Sequence, residues 1–209
     1  MSNETEEFWE EHYRARDRVW SGNPNPVMVS VVEPLEPGTA LDLGCGEGAD
    51  AVWLARRGWT VTAVDVSTVA LDRAAAHAED AGVAPRVEFR RHDLGRDFPD
   101  GSYDLVSAQF LQSPLEWDRA AILRSAAAAV APGGLLLIVE HAAAPPWSKH
   151  HDHRFPTADE TFAGLALDAS AWTTERCGVH EREATGPDGE SGVLLDNVIA
   201  VRRRGRRAE

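Results

Sequence analysis

The sequence predicts a doubly wound α/β domain whose sheet is mostly parallel and ends in an antiparallel hairpin. Three observations predict it. Apolar runs and helical patterns alternate from Thr39 to Val139, the signature of consecutive βαβ units. Leu135 to Val139 is a continuous apolar run, as expected of a central parallel strand covered on both faces. Two strand-like stretches, about Trp172 to Ala184 and Gly192 to Arg202, are separated mainly by Gly186-Pro187-Asp188-Gly189. So short and turn-rich a connection joins antiparallel neighbours.

Each element follows from local signals. Residues 5 to 18 read as a helix with Phe8, Trp9 and Tyr13 on one face. Ser21-Gly22-Asn23-Pro24-Asn25-Pro26 breaks it, and a short apolar helix, Val27 to Val32, leads to the Pro37-Gly38 turn and a first strand from Thr39 to Leu43. A helix of about Asp50 to Arg57 follows. Val61 to Asp65 is a second strand, and Ser67 or Thr68 caps a helix with Leu71, Ala74, Ala75 and Ala78 on one face. Arg86 to Arg91 and Ser102 to Val106 are further strands. Leu115 to Val130 has helical spacing at Ile122, Leu123, Ala126 and Val130, ended by Pro132-Gly133-Gly134. Thr157-Ala158-Asp159-Glu160 is a capping box that opens a short helix.

The chemistry centres on Asp42-Leu43-Gly44-Cys45-Gly46-Glu47-Gly48. Glycines at alternate positions after a strand let the backbone turn sharply and approach a ligand. The helix that follows points free N–H groups at it. Asp65 lies 21 positions after Gly44 at the end of the next strand, where a carboxylate can accept from both hydroxyls of a ribose. Loop, strand context and spaced acid together point to a ribose-bearing cofactor. Gly44-Cys45-Gly46-Glu47-Gly48-Ala49 also satisfies the dinucleotide fingerprint, so a nicotinamide or flavin enzyme stays open on the motif alone. Against it, Asp42 puts negative charge where a pyrophosphate would lie, whereas a cofactor carrying an amino group and a sulfonium charge would suit it.

At these residues the chain resembles the class I S-adenosylmethionine-dependent methyltransferases, in particular small bacterial ones acting on small molecules. Asp42 to Gly48 is similar to their motif I, Asp65 to their ribose-binding acid, and His92-Asp93-Leu94 to the segment that contacts adenine. Ser102-Tyr103-Asp104-Leu105-Val106 resembles their fourth strand and Ala131-Pro132-Gly133-Gly134-Leu135 the turn into the fifth. The likeness covers roughly residues 37 to 141. It implies a Rossmann-like seven-stranded sheet, S-adenosyl-L-methionine as cofactor, and a cofactor-binding set of Trp20, Gly22, Asp42, Gly44, Gly46, Gly48, Asp65, Val66, Asp93, Leu94 and Gln109. Trp20-Ser21-Gly22 resembles a segment covering the cofactor's methionine end; alternatively Trp20 anchors the N-terminal helix to the core. Ala108-Gln109-Phe110-Leu111 departs from the Asn/Asp-Pro-Pro-aromatic pattern of the amino-DNA methyltransferases, which speaks against base methylation.

A base for a protonated acceptor is sought at His141, His150, His151 and His153, close to the end of the fifth strand. The spacing of the last three matches no standard zinc site, and no metal is expected. The expected organisation is a single domain: residues 1–33 a helical cap, 37–141 the cofactor-binding core, 142–170 a lid and substrate segment, 171–203 the hairpin. At 209 residues, with 43% hydrophobic and 26% charged residues, this is an ordinary globular composition. The net charge is −13. The five arginines of residues 202–209, offset by Glu209, carry +4, which leaves about −17 on the rest. So acidic a body repels phosphates, so no nucleic-acid partner is expected. No apolar run reaches membrane-spanning length, and the acidic N-terminus is unlike a targeting peptide. Cys45 and Cys177 are the only cysteines, and cytoplasmic residence as monomer or homodimer is the default. The expected activity is methyl transfer to a small-molecule acceptor. The rivals are an NAD(P) oxidoreductase and a non-catalytic binder of the same cofactor.

Overall fold

A computed structural model describes residues 4–148, 154–186 and 189–205. Two N-terminal helices, α1 (Glu4–Arg14) and α2 (Pro26–Val32), precede β1 (Thr39–Leu43), α3 (Ala49–Arg56), β2 (Thr60–Asp65), α4 (Thr68–Asp80) and β3 (Val87–Arg91). Then come β4 (Tyr103–Gln109), α5 (Arg119–Ala128), β5 (Val130–His141), α6 (Ala158–Gly164), β6 (Trp172–Thr185) and β7 (Ser191–Arg203). The seven strands form one sheet in the order β3-β2-β1-β4-β5-β7-β6. β1 pairs in parallel with both β2 and β4. The chain therefore winds outward from β1 in both directions, and the reversal opens a crevice beyond the C-terminal ends of β1 and β4. β7 inserts antiparallel between β5 and β6.

Side chains alternate across the pleat, and the two faces build two cores. Leu41, Leu43, Val106, Leu136 and Ile138 meet α5 and α6 on one side. Ala40, Leu105, Leu135, Leu137 and Val139 meet α2 and α3 on the other. No helix among the described residues is long and apolar enough to cross a membrane.

Three boundaries differ from the sequence expectation, each for a local reason. α1 stops at Arg14 rather than continuing to residue 18, because the N–H groups of Val19 and Trp20 donate to the Glu47 carboxylate 28 and 27 positions away. α5 begins at Arg119, not Leu115: Asp118 caps it by accepting from Ala121 N. It also ends at Ala128, so Val130 opens β5 rather than closing the helix. Pro132-Gly133-Gly134 lies within β5 as an irregularity, where register with β4 jumps between Tyr103–Val130 and Leu105–Leu135. The Thr157–Glu160 capping box forms with both bonds in place.

Candidate active site

A cavity of about 850 Å³ opens over the crevice, lined by the glycine loop, the ends of β2 and β4, the loop after β3, Trp9 and Tyr13 of α1, and the segment from Trp20 to Pro26. At its floor Asp42 is buried, and its Oδ2 has no hydrogen-bond partner. Burial, with the nearby carboxylates of Asp50 and Asp65, pushes its pKa well up. Asp50, also lining the cavity, accepts from Asn25 N at 2.6 Å, and burial raises it to about 6. Asp65 receives Gly46 N and Ser67 N, each at 2.9 Å. Burial raises its pKa too, and those N–H bonds only partly offset the effect. Three acids thus converge on one end of the cavity, and among the described residues none of the three is in an ion pair, an arrangement that favours a positively charged ligand.

The glycines have different duties. A Cβ on Gly44 would meet Leu111 at 2.7 Å, and one on Gly46 would meet Tyr13 Oη at 2.9 Å and Trp20 Nε1 at 3.2 Å. Both line the cavity. Gly48 does not: its φ is +81° and a Cβ there would strike Ala74 Cβ at 2.7 Å, so it lets α3 and α4 approach.

Trp20 is 51% exposed and donates its Nε1–H to the buried Tyr13 hydroxyl at 3.1 Å. It lies beside Gly46 of the glycine loop and also touches His12 and Tyr13 of α1, and Gly22 and Val66 border the same cavity. Asp93 and Leu94 also line it. The Asp93 carboxylate accepts from Gly95 N at 3.1 Å and lies 3.4 Å from Arg96. Gln109 donates to Ser107 at 2.9 Å, leaving its Oε1 buried and unpartnered.

His141 sits at the end of β5 and lines the other end of the cavity. Its Nδ1 is 3.6 Å from Oδ1 of the fully buried Asp196. That is an ion-pair distance rather than a hydrogen bond. Burial alone would raise the Asp196 pKa, but His141 and Arg182 outweigh it and hold the carboxyl low. His150, His151 and His153 lie outside the described residues. Among the described residues no group of three or more His, Cys, Asp or Glu side chains could hold a metal ion.

Sequence reasoning missed Glu10, Glu47, Asp50, Asp196 and Arg182. Glu47 fastens residues 19 and 20 to the glycine loop and pairs with Arg73 at 2.9 Å. Its position inside the motif was a usable signal. For Arg182, which lines the cavity, and Asp196, buried behind it against His141, no local signal exists, because only the pairing of β5, β6 and β7 brings them there.

The fold is Rossmann-like, and its cavity lies at the switch point of the sheet. Residues 40–134, somewhat less than half of the chain, match the family model described as a methyltransferase domain. Among curated relatives it is 31% identical over 128 residues to the 2-heptyl-1-hydroxyquinolin-4(1H)-one methyltransferase of Mycobacteroides abscessus, covering 56% of each chain. The chain therefore spans little more than half of that relative, and less of others that it matches. A solved structure described as "Conversion of a Disulfide Bond into a Thioacetal Group during Echinomycin Biosynthesis" superposes with TM-score 0.73 at 25% identity, covering 96% of this chain and 93% of that one. Another, described as "DhpI-SAH complex structure", has TM-score 0.59 at 28% identity and covers 99% of this chain and 100% of that one.

Proposed function

We propose that this chain transfers a methyl group from S-adenosyl-L-methionine to a small-molecule acceptor. The observation that carries the reading is the unpartnered, buried Oδ2 of Asp42 at the floor of a cavity flanked by Gly44, Gly46 and Asp65. A buried carboxylate left without a donor is costly, and a ligand bringing an ammonium and a sulfonium supplies what it lacks. A pyrophosphate would add charge of the same sign, which counts against a nicotinamide cofactor.

In this reading Asp65 and Val66 hold the ribose, Asp93 and Leu94 the adenine, and Asp42 and Gln109 the methionine end. Gly44 and Gly46 give close approach, and Trp20 and Gly22 form the wall above. Gly48 serves the loop's shape. The bound cofactor supplies an already activated methyl group. What the protein adds is proximity and alignment, exclusion of water beneath Trp20 and Tyr13, and, at His141, a group able to take a proton. A purely cofactor-binding role would leave that second half of the cavity, from Gln109 to Arg182, without a use.

Residues 1–33 act as a cap, and 142–170 as the lid and substrate segment. The acidic body suits a small acceptor rather than a nucleic acid, in a cytoplasmic setting. Calorimetry with S-adenosylhomocysteine tests the cofactor half. Micromolar binding to the wild type that Asp65→Ala weakens at least about 100-fold is expected, the loss of two charge-assisted hydrogen bonds. Binding of NAD(H) in place of S-adenosylhomocysteine would sink the reading.

A further inference from the structure

We infer that His141, positioned by Asp196, is a general base for the hydroxyl of a planar aromatic acceptor that lies against Phe110. The inference rests on the methyl-transfer reading above and names the acceptor class and the proton's path.

Phe110 is the first observation. Its φ is +52°, a region a bulky side chain enters only under constraint. Two backbone bonds impose it, Phe110 N to Val139 O and Gln112 N to Phe110 O, each 2.7 Å. The consequence is that an aromatic ring lines the cavity just past the end of β4. That ring lies 4.5 Å from the His141 ring, tilted by 30°, and the Arg182 guanidinium sits 5.7 Å from its centroid. One wall thus combines a π-face, an imidazole and a cation. Trp117 adds apolar surface nearby. A flat, apolar acceptor with one ionisable group matches this combination.

Asp196 is the second observation. The register of β5 and β7 sets it directly across from His141. It is fully buried, and its other oxygen is held by Arg182 Nε from β6. A carboxylate at that distance stabilises the imidazolium, and closing to hydrogen-bond distance when the acceptor binds would hold the proton of the neutral ring on Nδ1. Nε2 is left to accept. Among the described residues, Asp196 from β7 is the charged group beside His141, Arg182 from β6 pairs with that carboxylate, and Phe110 and Phe155 supply ring contacts.

The step is a proton transfer. The acceptor's O–H bond breaks, its proton passes to Nε2, and the oxygen keeps the electron pair as a nucleophile beside Arg182. The side chain of His141 is 38% exposed, so the imidazolium can return its proton to solvent. An acceptor already ionised at neutral pH, such as a thiolate, would not need this device.

The test uses 4-nitrophenol, whose phenolate band reports ionisation directly, added to the full chain saturated with S-adenosylhomocysteine. The pH is set where the free phenol is mostly neutral. Wild type should bind it and lower its apparent pKa by about one unit, roughly a tenfold rise in the ionised fraction. His141→Gln should abolish that rise while still binding the ring. Asp196→Asn should reduce it severalfold. Should Asp196→Asn fail to fold, the His141→Gln comparison still decides. No binding of the phenol, or an equal rise in His141→Gln, overturns the inference. Because S-adenosylhomocysteine binding is measured in the same samples, that failure is distinguishable from failure of the methyl-transfer reading.

Discussion

Gly48 and Gly46 have left-handed φ values of +81° and +52°, yet a substitution would report different things. At Gly46 a methyl group would push into Tyr13 and Trp20 at the cavity wall; at Gly48 it would strike Ala74 on α4. Holding an L-residue in that conformation costs about 1–2 kcal/mol before any clash. For a domain of this size each kcal/mol lowers Tm by about 2–4 °C. Gly48→Ala should therefore lower Tm by at least several degrees while leaving the affinity of the folded fraction for S-adenosylhomocysteine within about twofold. A normal Tm together with lost affinity would show Gly48 facing the ligand after all. The spacing of three glycines announces a tight loop after a strand. It does not say which glycine faces a ligand and which faces a helix, because that depends on Leu111, Tyr13 and Ala74, none of them in the motif. Asp65 was legible for the opposite reason, since strand period and loop length within one βαβ unit set its place.

At the scale of an element, α1 is the clearest case of structure that its own sequence does not explain. Eleven residues of helix are marginal alone, and Phe8 and Trp20 beside it remain exposed. Its attachment is a carboxylate: Glu10 accepts from Ser67 Oγ at 3.1 Å, Thr68 N at 3.0 Å and Val69 N at 3.3 Å. Glu10 thus satisfies donors of the first turn of α4 and lies at the positive end of its dipole. Burial works against its charge, but these bonds prevail and hold its pKa below the usual value. Glu10→Ala should leave most of the sheet intact and raise amide exchange selectively in residues 4–14, with a loss of about 1–2 kcal/mol in global stability. Cofactor affinity should fall with it, because α1 delivers Tyr13 to the cavity. Unchanged exchange in α1 would mean that Tyr13 alone carries the docking. The helical pattern of residues 5–14 was readable from the spacing of Trp9 and Tyr13. The contact 57 positions away was not, for no local periodicity encodes it. The same holds for His141 and Asp196, paired only once β7 lies beside β5. By contrast the hairpin of β6 and β7 was legible, because its turn and its strands are contiguous.

For the whole molecule the balance of charge decides stability. The chain carries a net charge of −13, and three of its carboxylates, Asp42, Asp50 and Asp65, line the cavity with pKa values that burial pushes up. An acid with a folded-state pKa above its unfolded value near 3.8 destabilises the fold while ionised. That cost is full above the folded pKa and relieved as pH falls through it. For Asp50 the folded value is about 6, so relief begins just below neutrality. Taken alone, its shift of about two units corresponds to roughly 3 kcal/mol. Glu10, Glu47 and Asp196 run the other way. Their depressed values contribute stability above the unfolded carboxylate range, lost only as pH falls through their lower folded pKa. The ligand-free protein should therefore be most stable in mildly acidic solution, above the range in which those three acids titrate. A cation bound among Asp42, Asp50 and Asp65 reverses the sign of their effect, because it favours the ionised forms. Stabilisation by saturating S-adenosylmethionine should then be larger at about pH 7.5 than at about pH 5.5, following binding linkage. Self-repulsion of the acidic surface would also favour lower pH in the free protein, and Asp50→Asn separates the two. Thermal melts of both proteins at the two pH values give the answer: the variant's free-state slope should flatten while the surface contribution stays. A slope in Asp50→Asn equal to that of the wild type would assign the pH dependence to net charge and remove the buried cavity acids from the account.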